Sequence, residues 1–520
     1  MNLSPTLPSA VDWSGQIRTL ALRHGTLAAA RDSAGATLSY AQLGALSHAF
    51  ASYLLARGLQ PGDPVASLLP NSLEAIWVSL GLKIAGFTEV PLGWGYTAEE
   101  IRWCAQLSKA SLLITRPERL ALAGEAGLEP LITASMSLTD AGAHLPPVPG
   151  NTPGRILFTS GTTGRPKGVL ASHARRWVAE QLQKACLPFM PHPGSKILLM
   201  TPYVHGSGLL SNAWFDCGGE ITLHDGVDPD RVRPLLESGS YQAMFAPPTV
   251  LAKLTGAFDG ARFTGLRCIF TGTQPLARGL YERARQMFGP VVRITYGKTE
   301  CVNPITTLTF SEIDEAFADA PPTGGSCTGW PAPGVELRIG HPHQPTPAPG
   351  SEDEVWLRAA QLSEGLMTAE GFRAHEPDGW HATGDLGTID ARGRLWLTGR
   401  VADVIKTGGY RVNPDEIEAT LAGMRHCSQA VVTSLPSDYW GEVIMAVIEQ
   451  PQDGWRAELE QRVAALSKHK RPRLFFEMVT LPRNPQGKVS RKALREHVLS
   501  HARLIDGPYP TLETPGRSLR

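Results

Sequence analysis

The stretch Phe158-Thr-Ser-Gly-Thr-Thr-Gly-Arg-Pro-Lys-Gly-Val169 sets the reading of the whole chain. It follows an apolar strand candidate, Arg155-Ile-Leu-Phe158, and combines three glycines with four hydroxyl residues and one lysine. Glycines let backbone N–H groups close on phosphate oxygens, hydroxyls add donors, and Lys167 adds a positive charge. Thr159, Ser160, Gly161, Thr162, Thr163, Gly164 and Lys167 are therefore expected around the phosphates of a nucleotide. The loop is not a Walker A loop, because Gly164-Arg-Pro-Lys167 breaks that spacing and Pro166 prevents an immediate helix. A flexible surface linker is the plainer reading, but linkers rarely join glycine to such dense threonine and a Pro-Lys-Gly end.

Outward from this loop, strand-like and helix-like patterns alternate. Short apolar runs stand at 196–202, 220–225, 242–248, 266–273 and 291–297. Between the last two, residues 276–289 read as an amphipathic helix closed by Gly289. After the run 64–70, a helix is expected with Asn71 as its cap, Glu74 at its third position and Gly86 as its stop. This rhythm predicts βαβ units and buried, mostly parallel sheets. The texture changes near Gly399-Arg400. Asn413-Pro-Asp-Glu416 reads as a helix start, and strands are expected at 429–435, 442–450 and 474–481. The expected fold class is α/β: a large N-terminal domain of mostly parallel sheets flanked by helices over 1–400, then a small α+β domain over 401–520. The polar tail after Arg503 is expected to be loosely held.

A chain of 520 residues suggests about two to four domains. With 42% hydrophobic and 19% charged residues, wholesale disorder is ruled out. Lys+Arg and Asp+Glu balance at 49 each, which argues against a nucleic-acid or membrane-surface binder. The seven cysteines are scattered and include no C-x-x-C pair, as expected of a reducing compartment rather than a disulfide scaffold or zinc site. No basic stretch followed by an apolar run opens the sequence, and the most apolar segment, 73–92, carries Glu74, Lys83 and Glu89. A cytoplasmic enzyme without a membrane span is expected.

Four further motifs follow the first in order: Tyr296-Gly-Lys-Thr-Glu300, Thr383-Gly-Asp-Leu-Gly387, Gly399-Arg-Val-Ala-Asp-Val-Ile-Lys-Thr-Gly-Gly-Tyr-Arg-Val412 and Pro482-Arg-Asn-Pro-Gln-Gly-Lys488. Together the five resemble the AMP-forming acyl-CoA synthetase, adenylation-domain and firefly-luciferase superfamily, almost end to end from Leu38 to Lys488. The resemblance implies two domains joined by a hinge and a two-step reaction using ATP, Mg²⁺ and coenzyme A. A carboxylate attacks the α-phosphate of ATP and releases pyrophosphate; an acceptor thiol then displaces AMP.

It also implies roles. Lys488 would sit at the transferring phosphoryl group, Thr299 would donate to the α-phosphate, and Glu300 would hold Mg²⁺ with Thr162. Gly272, Thr273 and Gln274 would line the adenine edge, with Tyr296 stacking on the ring and Gly297 beside it. Here Thr271-Gly-Thr-Gln-Pro275 departs from the common Gly-Gly-x-Pro pattern. Asp385 would accept from the ribose hydroxyls, Arg400 would support ribose and phosphates, and Lys406 would contact AMP. Gly408 and Gly409 would let the pantetheine arm of coenzyme A pass. The basic run 468–473 could meet coenzyme A phosphates, although a solvated face is the preferred reading. Ala402 stands at the hinge position, where the family usually carries Asp or Lys.

For the acid pocket the candidates are Tyr203, His205, Gly206, Ser207, Trp214, Phe245, Thr271, Val302 and Asn303, each equally readable as core packing. The segment Pro202-Tyr-Val-His-Gly-Ser-Gly208 lacks the Phe-Asp pair of amino-acid-activating relatives, which favours a plain aryl or medium-sized carboxylic acid. The reading is an acid–coenzyme A ligase. Its alternatives are an adenylating enzyme that loads a separate carrier protein or an amine, and a degenerate nucleotide-binding homologue. Assembly is left open, with a homodimer as one option.

Overall fold

The computed structural model describes residues 7–136, 138, 144–159, 166–302, 304–320, 325–345, 347–348, 350–483, 488–514 and 517–519. Packing divides the chain into two units. The first comprises Met1–Glu315, Thr328–Leu337 and Leu357–His381; the second comprises Ala316–Cys327, Arg338–Trp356 and Ala382–Arg520.

The first unit is built on two sheets. In one, Glu129–Ile132, Leu112–Thr115, Pro64–Leu68, Thr88–Leu92 and Pro153–Thr159 run parallel in that spatial order. Lys167–Ser172, Gly365–Thr368 and Gly371–Ala374 extend it antiparallel. In the other, Ala28–Arg31, Glu220–Leu223, Lys196–Leu199, Tyr241–Phe245, Cys268–Gly272 and Val292–Tyr296 are parallel neighbours. Their near-continuous apolar sequences follow from burial on both faces: Ile197, Leu198, Leu199, Ala243 and Met244 are wholly buried. The central core gathers Trp13, Phe50, Trp77, Trp214, Phe245 and Phe270.

The amphipathic helix is present as Arg278–Phe288, and Gly289 ends it at φ 82. The helix after the first apolar run is Leu73–Ile84, with a corrected start: Ser72, not Asn71, caps it by accepting from the Ala75 N–H. Asn71 serves a longer tie. Its Nδ2 donates to the carbonyls of His224 and Thr201, and its Oδ1 accepts from the Tyr203 N–H.

In the second unit, residues 385–389 of the strand Trp380–Ile389 pair antiparallel with Leu395–Arg400. A further sheet joins Gln429–Ser437 to Gly441–Glu449 antiparallel, with Leu474–Met478 parallel to the latter. Helices Pro414–Leu421, Trp455–Val463 and Arg491–His501 accompany it, the first capped by Asn413 as expected. The tail after Ala502 is not loose. It forms a small antiparallel sheet of Arg503–Ile505, Thr511–Thr514 and Arg517–Leu519. Buried Leu512 joins the core there, Trp440 donates to the Gly507 carbonyl, and Asp506 accepts from Ser437 and the Asp438 N–H.

Candidate active site

The glycine-rich loop itself, with Ser160, Gly161, Thr162, Thr163 and Gly164, lies outside the described residues. Its two ends do not. Thr159 closes the strand Pro153–Thr159, Lys167 opens Lys167–Ser172, and the two residues are directly opposite in an antiparallel register. The loop is thus a hairpin connection whose mouth is fixed by a ladder.

In the parallel sheet, the candidates collect at the carboxyl ends of neighbouring strands, where open α/β sheets form their ligand crevice. Phe245 ends one strand, Thr271 and Gly272 the next, and Tyr296 the one after, with Gly297 following. A Cβ on Gly272 would come 2.3 Å from the Thr295 carbonyl oxygen, so this close strand pairing admits only glycine. Thr273 has φ 70, a left-handed backbone that is a genuine outlier for a β-branched residue. That explains why a second glycine is common at this position and shows what the Thr273 departure entails. Gln274 follows, half-buried, after the exposed Thr273.

Tyr203–Ser207 forms a wide π-type turn leading into the helix Gly208–Phe215. Ser207 exchanges a hydrogen bond with Thr201 Oγ1, and Phe245 packs against Gly206, whose added Cβ would meet the ring at 3.3 Å. Tyr203, Trp214 and Phe245 belong to the central core, and burial pushes the Tyr203 phenol well above its ordinary pKa. Thr271 is fully buried, and its Oγ1 lacks a hydrogen-bond partner among the described residues. His205 is placed by its backbone alone, and Asn303 lies outside the described residues.

Thr299, Glu300 and Val302 follow the strand that ends at Tyr296. This segment is pinned from the other side: the Ser363 N–H donates to the Glu300 carbonyl at 2.7 Å, and Cys301 bridges Leu362.

In the second unit, Asp385 faces Arg400 across the hairpin and pairs with its Nε at 3.0 Å. Asp385 is buried whereas the Arg400 side chain is 53% exposed, so the guanidinium has open donors beyond this pair. Ala402 lies in a single 3₁₀ turn, Val401–Asp403. Lys406 is exposed on Ile405–Thr407, its N–H donating to Glu442. Gly408 and Gly409, at φ 55 and 84, form the two-residue turn to Tyr410–Val412. Two positive φ values are what a type I′ hairpin turn requires, a local reason for both glycines. Lys488 stands next to Val489, which bridges Arg483, and precedes Ser490, the cap of Arg491–His501.

One buried feature escaped sequence reasoning. Lys83 pairs with Glu180 at 2.6 Å and sits 3.9 Å from the Trp13 ring centroid. Glu89 accepts from Ser79 and Arg176, and Arg155 lies 3.4 Å away. Burial pushes the Lys83 ammonium below its ordinary pKa, with Glu180 offsetting part of the fall. Burial pushes Glu89 upward, but Arg155, Arg176 and the Ser79 hydroxyl outweigh it and hold the carboxyl below the usual range. The five charged groups come from four separate segments; the only sequence signal was the presence of Lys83 and Glu89 inside an apolar run.

Candidate residues gathered at the carboxyl ends of a parallel sheet, with a glycine-rich connection between two paired strands, are the arrangement of a nucleotide-binding α/β enzyme. The model of the AMP-binding enzyme family matches residues 18–367, and that of the AMP-binding enzyme C-terminal domain matches 416–488. The chain belongs to the AMP-binding enzyme family. It is 30% identical over 488 residues to the fatty acid–[acyl-carrier-protein] ligase ScoC of Streptomyces coeruleorubidus, covering 89% of this chain and 92% of that one. It is 27% identical over 495 residues to a feruloyl-CoA synthase of Amycolatopsis sp., covering 91% and 95%. Among solved structures, ATP-bound MatB from Rhodopseudomonas palustris matches with a TM-score of 0.80 and 26% identity, over 93% of this chain and 98% of that one. Among the described residues no helix is long and apolar enough to cross a membrane.

Proposed function

We propose that this chain is an AMP-forming acyl-CoA synthetase acting on an aryl or medium-sized carboxylic acid. The observation that carries the reading is the convergence of Thr271–Gln274, Tyr296, Thr299 and Glu300 at adjacent carboxyl ends of one parallel sheet. A carboxylate oxygen of the acid attacks the α-phosphorus, the bond to the β-phosphate oxygen breaks, and pyrophosphate leaves. The thiol sulfur of coenzyme A then bonds the acyl carbon, the carbon–oxygen bond to AMP breaks, and the thiol proton passes to solvent.

Both reactants of the first step are anions, so the site must supply positive charge and donors. Lys167 and Lys488 supply the charge, with the amides of the glycine-rich loop and Thr299 as donors. Tyr296, Gly297 and the turn 272–274 receive the adenine. Asp385 receives the ribose hydroxyls, with Arg400 and Lys406 beside it, and Gly408–Gly409 serve the pantetheine arm. Glu300 and Thr162 would hold Mg²⁺, which would supply neutralisation of the phosphate charge. The functional boundary falls at 400/401, with Ala402 as hinge, and the enzyme works in the cytoplasm, its seven cysteines free.

Product analysis tests this reading: AMP and pyrophosphate are expected, in a magnesium-dependent and acid-dependent reaction. ADP and phosphate would overturn it. The similarity to ScoC supports a second acceptor, the phosphopantetheine thiol of a separate carrier protein. Turnover with coenzyme A against turnover with loaded carrier decides between them, and light scattering reads monomer against homodimer.

A further inference from the structure

The segment after Ala502 follows the last of the five motifs and reaches back to the turn that joins Gln429–Ser437 to Gly441–Glu449. Asp506 covers that turn. Its Oδ1 accepts from the Ser437 hydroxyl at 2.6 Å, and its Oδ2 accepts from the Asp438 N–H at 2.6 Å and the Tyr439 N–H at 3.3 Å. The Ser437 oxygen accepts in turn from the Trp440 N–H at 2.9 Å, so one carboxylate orders residues 437–440. The Trp440 indole donates to the Gly507 carbonyl at 3.0 Å, and the Arg473 guanidinium lies 4.0 Å from its ring centroid. Buried Leu512 and half-buried Leu504 anchor the segment in the core that Trp440 also joins.

Trp440 supports a second turn. Its carbonyl accepts from the Gly408 N–H at 2.8 Å, and a Cβ on Gly408 would come 3.1 Å from its six-membered ring. A Cβ on Gly409 would meet nothing within 4 Å. The Gly408–Gly409 turn therefore leans on Trp440 on one side and is open on the other. Gly441, at φ 76, supplies the left-handed residue that a three-residue hairpin loop uses. The bonds from Asp506 and Gly507 thus orient the 438–440 loop rather than make it.

We infer that the segment 503–514 is a buttress for the Gly408–Gly409 turn, and that Asp506, acting through Trp440, is a positioning residue for acyl transfer to the acceptor thiol. The inference rests on the reading of that turn as the passage of the pantetheine arm. Adenylate formation is assigned to Thr299, Glu300 and Lys488, so loss of the buttress should tell on the second step.

The test measures both half-reactions on the full chain: acid-dependent ATP–pyrophosphate exchange, and thioester formation from supplied acyl-adenylate and coenzyme A. Asp506→Ala should hold pyrophosphate exchange within about twofold and lower kcat/KM for coenzyme A by ~10-fold or more, because a small misplacement made far from the chemistry costs rates of this order. Asp506→Asn should restore most of the loss: its amide oxygen can serve the two backbone N–H groups while its NH₂ donates to the Ser437 oxygen. Trp440→Phe keeps a ring but removes the donor to Gly507, and it should reproduce the Asp506→Ala pattern. Hydrogen–deuterium exchange across 405–412 reads the buttress without turnover and should quicken in Asp506→Ala. Unchanged hydrogen exchange there, or equal losses in both half-reactions, would overturn the inference. Gly409→Asn checks the passage separately, since its side chain enters the open side of the turn, and it should lose coenzyme A use. That loss with Asp506→Ala fully active would overturn the buttress alone. Full coenzyme A use by Gly409→Asn and by Asp506→Ala, with hydrogen exchange quickened, would sink the passage reading and with it the role of Asp506 in transfer.

Discussion

His173 opens the helix behind the glycine-rich hairpin, and the neutral ring is what the fold requires. Trp13 Nε1 donates to its Nδ1 at 2.9 Å, so that nitrogen must be unprotonated. Burial first, then the charges of Arg176 and Lys83, push its pKa from 6.5 down to about 3. The sign follows directly. Below pH 6.5 the unfolded chain takes up a proton that the folded chain refuses, so stability present at neutral pH drains away as pH falls towards 3. At pH 5 the loss from this one ring is about 2 kcal/mol, since each pH unit of unmatched protonation costs about 1.4 kcal/mol. His173→Gln removes the titration while its side-chain oxygen can still accept from Trp13. Between pH 7.5 and 5 the parent should therefore lose about 2 kcal/mol more than the variant. In scanning calorimetry that difference amounts to about 3 °C in Tm for a unit of several hundred residues. Parallel losses of Tm in the two proteins across this range would refute the reasoning.

Lys488→Ala should lower acyl-adenylate formation by ~10²-fold or more while sparing thioester synthesis from supplied adenylate; equal damage to both steps would make Lys488 structural. Thr273→Gly should raise Tm, because relief of a left-handed β-branched residue, about 1–2 kcal/mol, exceeds the added chain entropy of glycine, about 0.5–1 kcal/mol. A lower Tm would show that the threonine side chain contributes more than its backbone costs. Ala402→Pro fixes φ near −65° and restricts Val401, so pyrophosphate exchange should persist while thioester synthesis falls by orders of magnitude. Near-normal thioester synthesis in the folded variant would place the rotation elsewhere.

What could be read in advance was whatever is written locally. Ile197–Leu199 announced a buried strand, and Leu276–Gly289 announced a helix with its stop, because each pattern is completed within a few residues. The exchange of Asn71 for Ser72 as cap was invisible for the opposite reason: the Asn71 amide is engaged by His224, Thr201 and Tyr203, far along the chain. The tail was misjudged on its polar composition. Its order comes from Ser437 and Trp440, which bond Asp506 and the Gly507 carbonyl and which no window around residue 510 contains. At the candidate site, the motifs pointed to residues but not to their conformations. The left-handed Thr273 and the hairpin geometry of Gly408–Gly409 emerged only with the backbone, and the Lys83–Glu180 and Glu89–Arg176 pairs required three segments to meet.

Arg491 begins the helix that follows Lys488, and its guanidinium is grasped by three carboxylates: Asp403 at 2.6 Å, Glu418 at 2.8 Å, and Asp415. Asp403 is the residue next after Ala402. The lysine thus stands three residues before a side chain that is tied to the residue next to the proposed hinge. A lever works only if it has no backlash, and a flexible arm would dissipate a rotation before it reached its tip. Under the rotation proposed at Ala402, this three-sided clamp on Arg491 would carry Lys488 along with Asp403.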